Sequence, residues 1–311
     1  MRIVRDLPPT LDAAVLVVMH VSPYAESRLA DILAKSGRLP ATVVRERVAI
    51  RPGRLYVAGP DRHLVVVDGD VMASRAPREN RHRPSIDVLF RSAAISHRKR
   101  VIGIVLSGTL DDGTAGLRWI KRVGGTALVQ DPATALFAGM PSSAIANVAV
   151  DRVLPAEQIA AEIIDLVDGA DPAEEKQMNA DGTVDGQGAP PDPPEVDPSA
   201  FVCPDCGGTL FEVGEGEMLR FRCRVGHAYS PEALHAEQER SLEEALWTAV
   251  RSLEEHADLA TRLERWARGS KLSRAAERFA ESARDSLEKA DTVRRAVLSA
   301  RAAVDESEAA S

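Results

Sequence analysis

Five short runs of β-branched and aliphatic residues punctuate the first part of the chain: AAVLVVMHV (13–21), RLYVAG (54–59), HLVVVDG (63–69), VIGIVLSG (101–108) and GTALVQD (125–131). Most are apolar at consecutive rather than alternate positions, the pattern of strands covered on both faces. Helical spacing lies between some of them. Ile86, Leu89, Phe90 and Ala93 share one face, and Gly116, Trp119, Ile120 and Val123 share another. Strand–helix alternation over residues 1–168 predicts an α/β domain, a mostly parallel sheet covered by helices. The runs 54–59 and 63–69, joined by Pro60-Asp61-Arg62, are expected to form a hairpin appended to that sheet.

The rest of the chain reads differently. Residues 169–200 hold eight acidic residues, one lysine and six prolines, with Met178, Val184 and Val196 as the only bulky apolar side chains. Such a stretch cannot offset the entropy of ordering, so it predicts a disordered linker that uncouples what lies on either side. All three cysteines fall between 203 and 223, which points to one local site rather than a disulfide framework. Cys203-x2-Cys206, sixteen residues, then Cys223-x3-His227 gives a Cys3His donor set, the pattern of two knuckles around a structural Zn²⁺ with no open position. A redox pair and unrelated buried cysteines are the competing readings; no His follows the CxxC directly, which excludes a c-type haem. Helical patterns cover 231–267 and 273–304, separated by RGSKLS. Leu242, Leu246, Val250 and Leu253 mark one apolar stripe, and Phe279, Ala283, Leu287, Ala290, Val293 and Val297 the other. They predict an α-helical hairpin over 231–311 that packs on the ribbon or serves self-association or partner binding. The expected order is therefore an α/β domain (1–168), an acidic linker (169–200), a zinc-ribbon-like module (201–230) and the hairpin.

A net charge of −8 argues against a general nucleic-acid binder. The longest apolar runs are far shorter than the ~18 residues of a membrane span, and MRIVRDLPPT carries no signal-peptide core. The expectation is a cytoplasmic protein without membrane insertion.

Ligands of open parallel sheets bind at the carboxyl ends of the strands. Asp112, in VLSGTLDDGTAGL (105–117), and His20, closing VLVVMHV, are both placed there. A carboxylate that accepts from an imidazole NH and leaves the other nitrogen as a base is the orienting half of a hydrolase triad. An aspartate before a helix is also a common N-cap, and a strand-end histidine is often an ordinary surface residue, so spacing alone leaves both readings open.

VLSGTLDDGTAGL resembles the signature of the chemotaxis receptor methylesterases of CheB type. VLVVMHVSP (15–23) is similar to that family's histidine strand, RPGRLYVAGPDRHLVVVDG (51–69) to its hairpin, RPSIDVLFRSAA (83–94) to the following helix, and VQDPATALFAGMPSSAI (129–145) to the rim of its active site. The resemblance implies hydrolysis of γ-glutamyl methyl esters on chemoreceptors to glutamate and methanol, with glutamine deamidation in some members. It places His20 as the catalytic histidine and Asp112 as the aspartate that orients it. Asp111 then points elsewhere, toward capping the helix that begins near Thr114. Thr109 falls where the turn lends a backbone NH to the oxyanion hole, although the family commonly has Met there. Catalysis of this kind needs no cofactor.

The family's serine lies in a Gly-x-Ser turn after its first strand. Nineteen residues precede His20 and none is serine; Ser22, Ser27, Ser85, Ser107 and Ser142 lie outside any Gly-x-Ser-x-Gly turn. MRIVRDLPPT resembles the end of the helix that follows the nucleophile turn, with Ile3, Val4 and Leu7 as its apolar face. A misassigned or truncated start is the favoured expectation, and receiver-domain phosphorylation is not encoded in these residues. The leading reading is a protein-glutamate methylesterase acting on a methylated chemoreceptor. The alternative is a non-catalytic, zinc-containing regulatory or scaffold protein that binds through the esterase fold.

Overall fold

The computed structural model describes residues 1–24, 26–169, 198–215 and 218–309. The acidic stretch predicted as a linker lies almost wholly outside them. The chain divides into two compact units, Met1–Leu234 and His235–Ser311.

The first unit opens with α1 (Arg2–Asp6), β1 (Ala14–Val17), α2 (Leu29–Ser36), β2 (Ala41–Val44), β3 (Val48–Ala49) and β4 (Arg54–Ala58). It continues through β5 (His63–Val67), β6 (Asp70–Ser74), α3 (Ile86–His97), β7 (Ile102–Val105), α4 (Thr114–Arg122), β8 (Thr126–Gln130), α5 (Gly139–Asn147), β9 (Arg152–Leu154) and α6 (Ala156–Asp168). The parallel strands form two three-stranded sheets, β1-β4-β2 and β7-β8-β9. Among the described residues β1 and β7 each pair along one edge only. One core cluster nevertheless joins the sheets: Leu55 and Val57 of β4, Leu128 of β8, Val4 and Leu7 near α1, and Ile159 and Ile163 of α6, with Val15, Val17, Ile102 and Ile104 packed against it. The buried aliphatic side chains of such a cluster contribute about 1.5–3 kcal/mol each through removal from water.

The expected hairpin of 54–59 with 63–69 does not form. β4 is the central strand of a parallel sheet, and β5 pairs instead with β6, antiparallel, from His63↔Ser74 to Val67↔Asp70. The turn between them is Asp68-Gly69, with φ of 51° and 80°, the left-handed pair that a two-residue hairpin of matching twist requires. Pro60-Asp61-Arg62 links the two sheets, and Asp61 accepts from the Arg83 guanidinium.

The same unit ends in a four-stranded antiparallel sheet, β10 (Pro198–Val202), β11 (Thr209–Glu215), β12 (Met218–Cys223) and β13 (Ala228–Tyr229), in sequential order. Its own core is Cys203, Leu210, Phe221, Cys223 and Tyr229, closed by Ala233 and Leu234. So few apolar side chains do not stabilise an independent domain, which normally needs a metal or a neighbour.

Two long helices follow, α7 (Pro231–Gly269) and α8 (Ser273–Ala309). In the second unit they meet through Glu254 with Arg294 and His256 with Ser286, an antiparallel register. The buried seam takes Val250, Ala283, Ala290 and Val297 from the stripes read from the sequence but not their outer leucines. Leu242 and Leu287 are exposed, while Val250, Ala257, Ala260 and Ala267 face inward with Ala276, Ala283, Ala290 and Val297. The α8 set repeats every seven residues, as in a coiled-coil seam.

Candidate active site

Asp112 leaves β7 on a turn that reverses through Leu110 and Gly113, at φ of 60° and 100°. Only a glycine fits the second position comfortably, since a Cβ there would lie 2.9 Å from Ile86 Cγ2. The turn buries both aspartates. His20, three residues beyond β1, meets Asp112 with Nε2 2.7 Å from Oδ2. The ends of two edge strands, one from each parallel sheet, thus converge on one hydrogen bond.

Burial favours the protonated form of Asp112, but the His20 hydrogen bond, the imidazole's charge and the Ile86 amide outweigh it and hold the carboxyl below the ordinary carboxylate range. An ionised carboxylate only accepts, so Nε2 of His20 carries the hydrogen and Nδ1 keeps a lone pair for a proton. Asp112 Oδ2 also accepts from Ile86 N at 2.7 Å, and Oδ1 from Ser85 Oγ at 2.8 Å and Asn80 Nδ2 at 3.3 Å. The pair predicted from sequence is assembled, and its carboxylate is held by residues that sequence reading missed.

Those residues lie between β6 and the first turn of α3. His82 stacks on His20 with ring centroids 3.6 Å apart and planes 8° from parallel. Burial, then the neighbouring His20, drops its imidazole to about 4, so it stays neutral at physiological pH and acts as a flat wall. His63, fully buried, donates from Nε2 to the Pro77 carbonyl at 3.0 Å and accepts from Ser85 N at Nδ1, which aims the Ser85 hydroxyl at Asp112. Asp87 accepts from the amides of Gly113 and Gly116 at 3.0 and 2.7 Å, tying α3 to the turn that carries Asp112.

Asp111 does not cap the following helix. Its carbonyl accepts from Thr114 N, while its side chain accepts from Ser230 Oγ at 2.9 Å. Burial, partly offset by that hydrogen bond, together with Asp87, Glu232 and Asp112 pushes it up to about 7. Thr109 is exposed in the same turn. Ser107 is occupied structurally, its Oγ accepting from Phe137 N and its amide donating to Gln130. Among the described residues no serine hydroxyl is hydrogen-bonded to Nδ1 of His20.

Cys203, Cys206, Cys223 and His227 are brought together, with donor atoms within 4.8 Å of one another. Cys206 and Cys223 sulfurs are 3.7 Å apart, and His227 Nδ1 lies 3.6 Å from Cys203 Sγ and 3.5 Å from Cys223 Sγ. A tetrahedron built on the usual Zn–S and Zn–N bond lengths has S···S edges of about 3.8 Å and S···N edges of about 3.6 Å. These three separations are close to the edges of that tetrahedron, and the chemistry of the donor set suits a four-coordinate Zn²⁺.

This ribbon is not uncoupled from the α/β fold as the intervening acidic stretch implied. Ala228 pairs with Glu79 as a parallel bridge, its N donating to the Arg78 carbonyl and its carbonyl accepting from Asn80 N. Arg220, buried on β12, reaches Asp87 at 3.1 Å and Glu79 at 3.3 Å. Two buried carboxylates outside the ribbon thus share a guanidinium from within it.

Comparison with known proteins bears on the α/β part of the chain. The family model described as CheB methylesterase covers residues 1–163. The chain belongs to the CheB methylesterase family. A protein-glutamate methylesterase/protein-glutamine glutaminase of Anaeromyxobacter dehalogenans is 41% identical over 157 residues, which are 50% of this chain and 46% of that protein. A putative protein of the same name from Leptospira interrogans is 39% identical over 159 residues, 51% of this chain and 82% of that one. The crystal structure of the Thermotoga maritima CheB methylesterase catalytic domain superposes with a TM-score of 0.51 at 30% identity, covering 53% of this chain and 90% of that one. The chain thus spans less than half the length of the first of these relatives, and the ribbon and the helical hairpin lie outside the residues the family model matches.

Proposed function

We propose that residues 1–168 provide the acid–base half of a protein-glutamate methylesterase acting on γ-glutamyl methyl esters of a chemoreceptor. The observation that carries this reading is the His20–Asp112 hydrogen bond at the converging strand ends. His20 Nδ1 takes the proton of a serine hydroxyl as its oxygen attacks the ester carbonyl, then gives that proton to the departing methoxide, releasing methanol. Water repeats the sequence on the acyl-enzyme and leaves a glutamate carboxylate. The Thr109 amide is assigned to the developing oxyanion. The serine belongs to the family's Gly-x-Ser turn, which residues 1–311 do not contain.

In the same reading Cys203, Cys206, Cys223 and His227 hold a structural zinc, supported by their Cys3His chemistry and by three donor separations near tetrahedral edges. Exposed Leu242, Leu259, Trp266, Leu287 and Leu298 on the two long helices support self-association or partner binding there. No helix among the described residues is long and apolar enough to cross a membrane, in keeping with action in the cytoplasm. A second reading, a non-catalytic scaffold, is favoured by one observation: no described serine hydroxyl meets Nδ1 of His20.

Methanol release from methylated receptor separates the two. The 311-residue chain releases none, whereas fusing a strand and Gly-x-Ser turn ahead of α1 yields turnover that His20→Ala abolishes. Turnover that survives His20→Ala refutes the assignment of the base, and a fused protein with no turnover favours the scaffold.

A further inference from the structure

We infer that the Cys3His ribbon braces the catalytic carboxylate from within the same chain, with Arg220 as the positioning residue. The inference rests on the reading of His20 and Asp112 as the acid–base pair.

Arg220 sits three residues before the ligand Cys223 and is 3% exposed. One guanidinium nitrogen donates to Asp87 and another to Glu79. Glu79 is in turn held by Arg91. Asp87 has its second oxygen on the amides of Gly113 and Gly116, the residues that follow Asp112 on its turn. A displacement of Arg220 is therefore felt one carboxylate away from the acid–base pair. Removing one partner of a buried ion pair leaves an uncompensated charge, and the neighbouring backbone rearranges to reach water or a new donor.

A second path runs in parallel. Ala228 follows the ligand His227 directly and clamps the backbone of residues 78–80. Ser230 N donates to Asn80 Oδ1 at 2.9 Å, and the Asn80 amide group spends its two hydrogens on Asp87 and Asp112. Asn80 and Arg81 both hold positive φ, 49° and 68°, a conformation that side-chain-bearing residues keep only when their surroundings impose it. The clamped segment leads directly into His82, which stacks on His20, and Ser85, which bonds Asp112. The ribbon therefore grips the segment that supplies the Asn80 and Ser85 donors to Asp112. A ribbon with so small a core keeps its shape through its metal, so metal occupancy sets the geometry of the acid–base pair.

The test uses the full chain loaded with zinc. The low-field proton resonance of the His20 Nε2–H bonded to Asp112, assigned by its loss in His20→Gln, reports the pair without requiring turnover. Arg220→Met and zinc stripping by a chelator should each abolish the resonance while helical circular dichroism is retained, and added zinc should restore it in the wild type. Arg220→Lys, which keeps a charge between Asp87 and Glu79, should retain it at reduced intensity. A resonance unchanged by zinc removal and by Arg220→Met overturns the proposal. Should Arg220→Met fail to fold, the stripped wild type and Arg220→Lys decide in the same way. In a form carrying the Gly-x-Ser turn, kcat should fall by up to about a hundredfold on Arg220→Lys with KM unchanged, the scale of a displaced catalytic group. A serine-bearing form without turnover whose resonance still follows Arg220 and zinc refutes the esterase reading and leaves the brace standing.

Discussion

Asp111 offers a measurement of how the ribbon and the α/β fold share charge. Its side chain is buried, it accepts from Ser230, and its other close ionisable neighbours are the acids Asp87, Glu232 and Asp112. It is pushed from an ordinary 3.8 to about 7. A carboxyl whose folded value lies above its unfolded value binds its proton more tightly when folded. The stability this confers is fully present below pH 3.8, declines as pH rises, and is gone above pH 7. Integrated between pH 5 and pH 8, the group removes about 2–3 kcal/mol from unit one. Asn at this position copies the protonated acid in shape and still accepts from Ser230. Asp111→Asn should therefore gain in stability relative to wild type as pH rises, the difference widening by about 2–3 kcal/mol from pH 5 to pH 8. Urea unfolding followed by Trp119 fluorescence, with Trp247 and Trp266 replaced by Phe in both proteins, isolates the first unit. A difference between the variants that stays constant across this range refutes the argument, because it means the carboxylate is ionised throughout and fully compensated by groups other than Ser230.

The purified chain should carry one zinc per molecule by metal analysis, lost in the Cys203→Ser, Cys206→Ser double variant; iron, or no metal, refutes the structural-zinc reading. In a serine-bearing form, Asp112→Asn should lower kcat by about 10⁴-fold, because an amide donor facing Nε2 favours the tautomer whose Nδ1 cannot take a proton. Retention of near-wild-type kcat in that variant would move the orienting role to another residue.

How much of this was legible depends on what covers each face. His20 and Asp112 stood out because a buried strand ending in a tight turn brings polar side chains to the place where open parallel sheets bind ligands. The choice between the two aspartates, by contrast, came from the family resemblance, since both precede the helix and both are buried. The misplaced hairpin had its signal in plain view: Asp68-Gly69 is a two-residue turn sequence, and the apolar run on its N-terminal side drew attention away from the less regular DVMAS after it. The helix seam was legible only in part, in Val250, Ala283, Ala290 and Val297. Leucines mark a stripe by hydropathy, but the helices of the second unit bury alanines at the contact. Arg220 was out of reach altogether. In MLRFRC the alternation assigns Leu219 and Phe221 to one face and the arginines to solvent, yet Leu219 is exposed and Arg220 buried. Alternation identifies a solvent face only when nothing else packs on it, and here segment 79–87 does.

The buried charges around the site follow one rule that ties these observations together. Glu79 lies between Arg91 and Arg220, and its carboxyl falls to about 2 despite burial. Asp112 has His20 and stays ionised. Asp87 has Arg220 and two backbone amides, working against burial and the charge of Asp112, which push it upward. Asp111 has a hydroxyl in place of a cation, and its carboxyl rises furthest, to about 7, against about 6 for Asp87. Each carboxyl titrates where desolvation and like charge, which raise it, balance the cations and amides that reach it; the balance falls low for Glu79 and Asp112 and high for Asp87 and Asp111. Two of the groups that do the reaching, Arg220 and Ser230, come from the ribbon. Withdrawing the ribbon leaves Glu79 with Arg91 alone and Asp87 without its guanidinium. Asp87, already raised to about 6, would rise further without that cation, weakening the charge that the Gly113 and Gly116 amides bond. The turn that aims Asp112 at His20 is consequently held most firmly when the ribbon is folded against it.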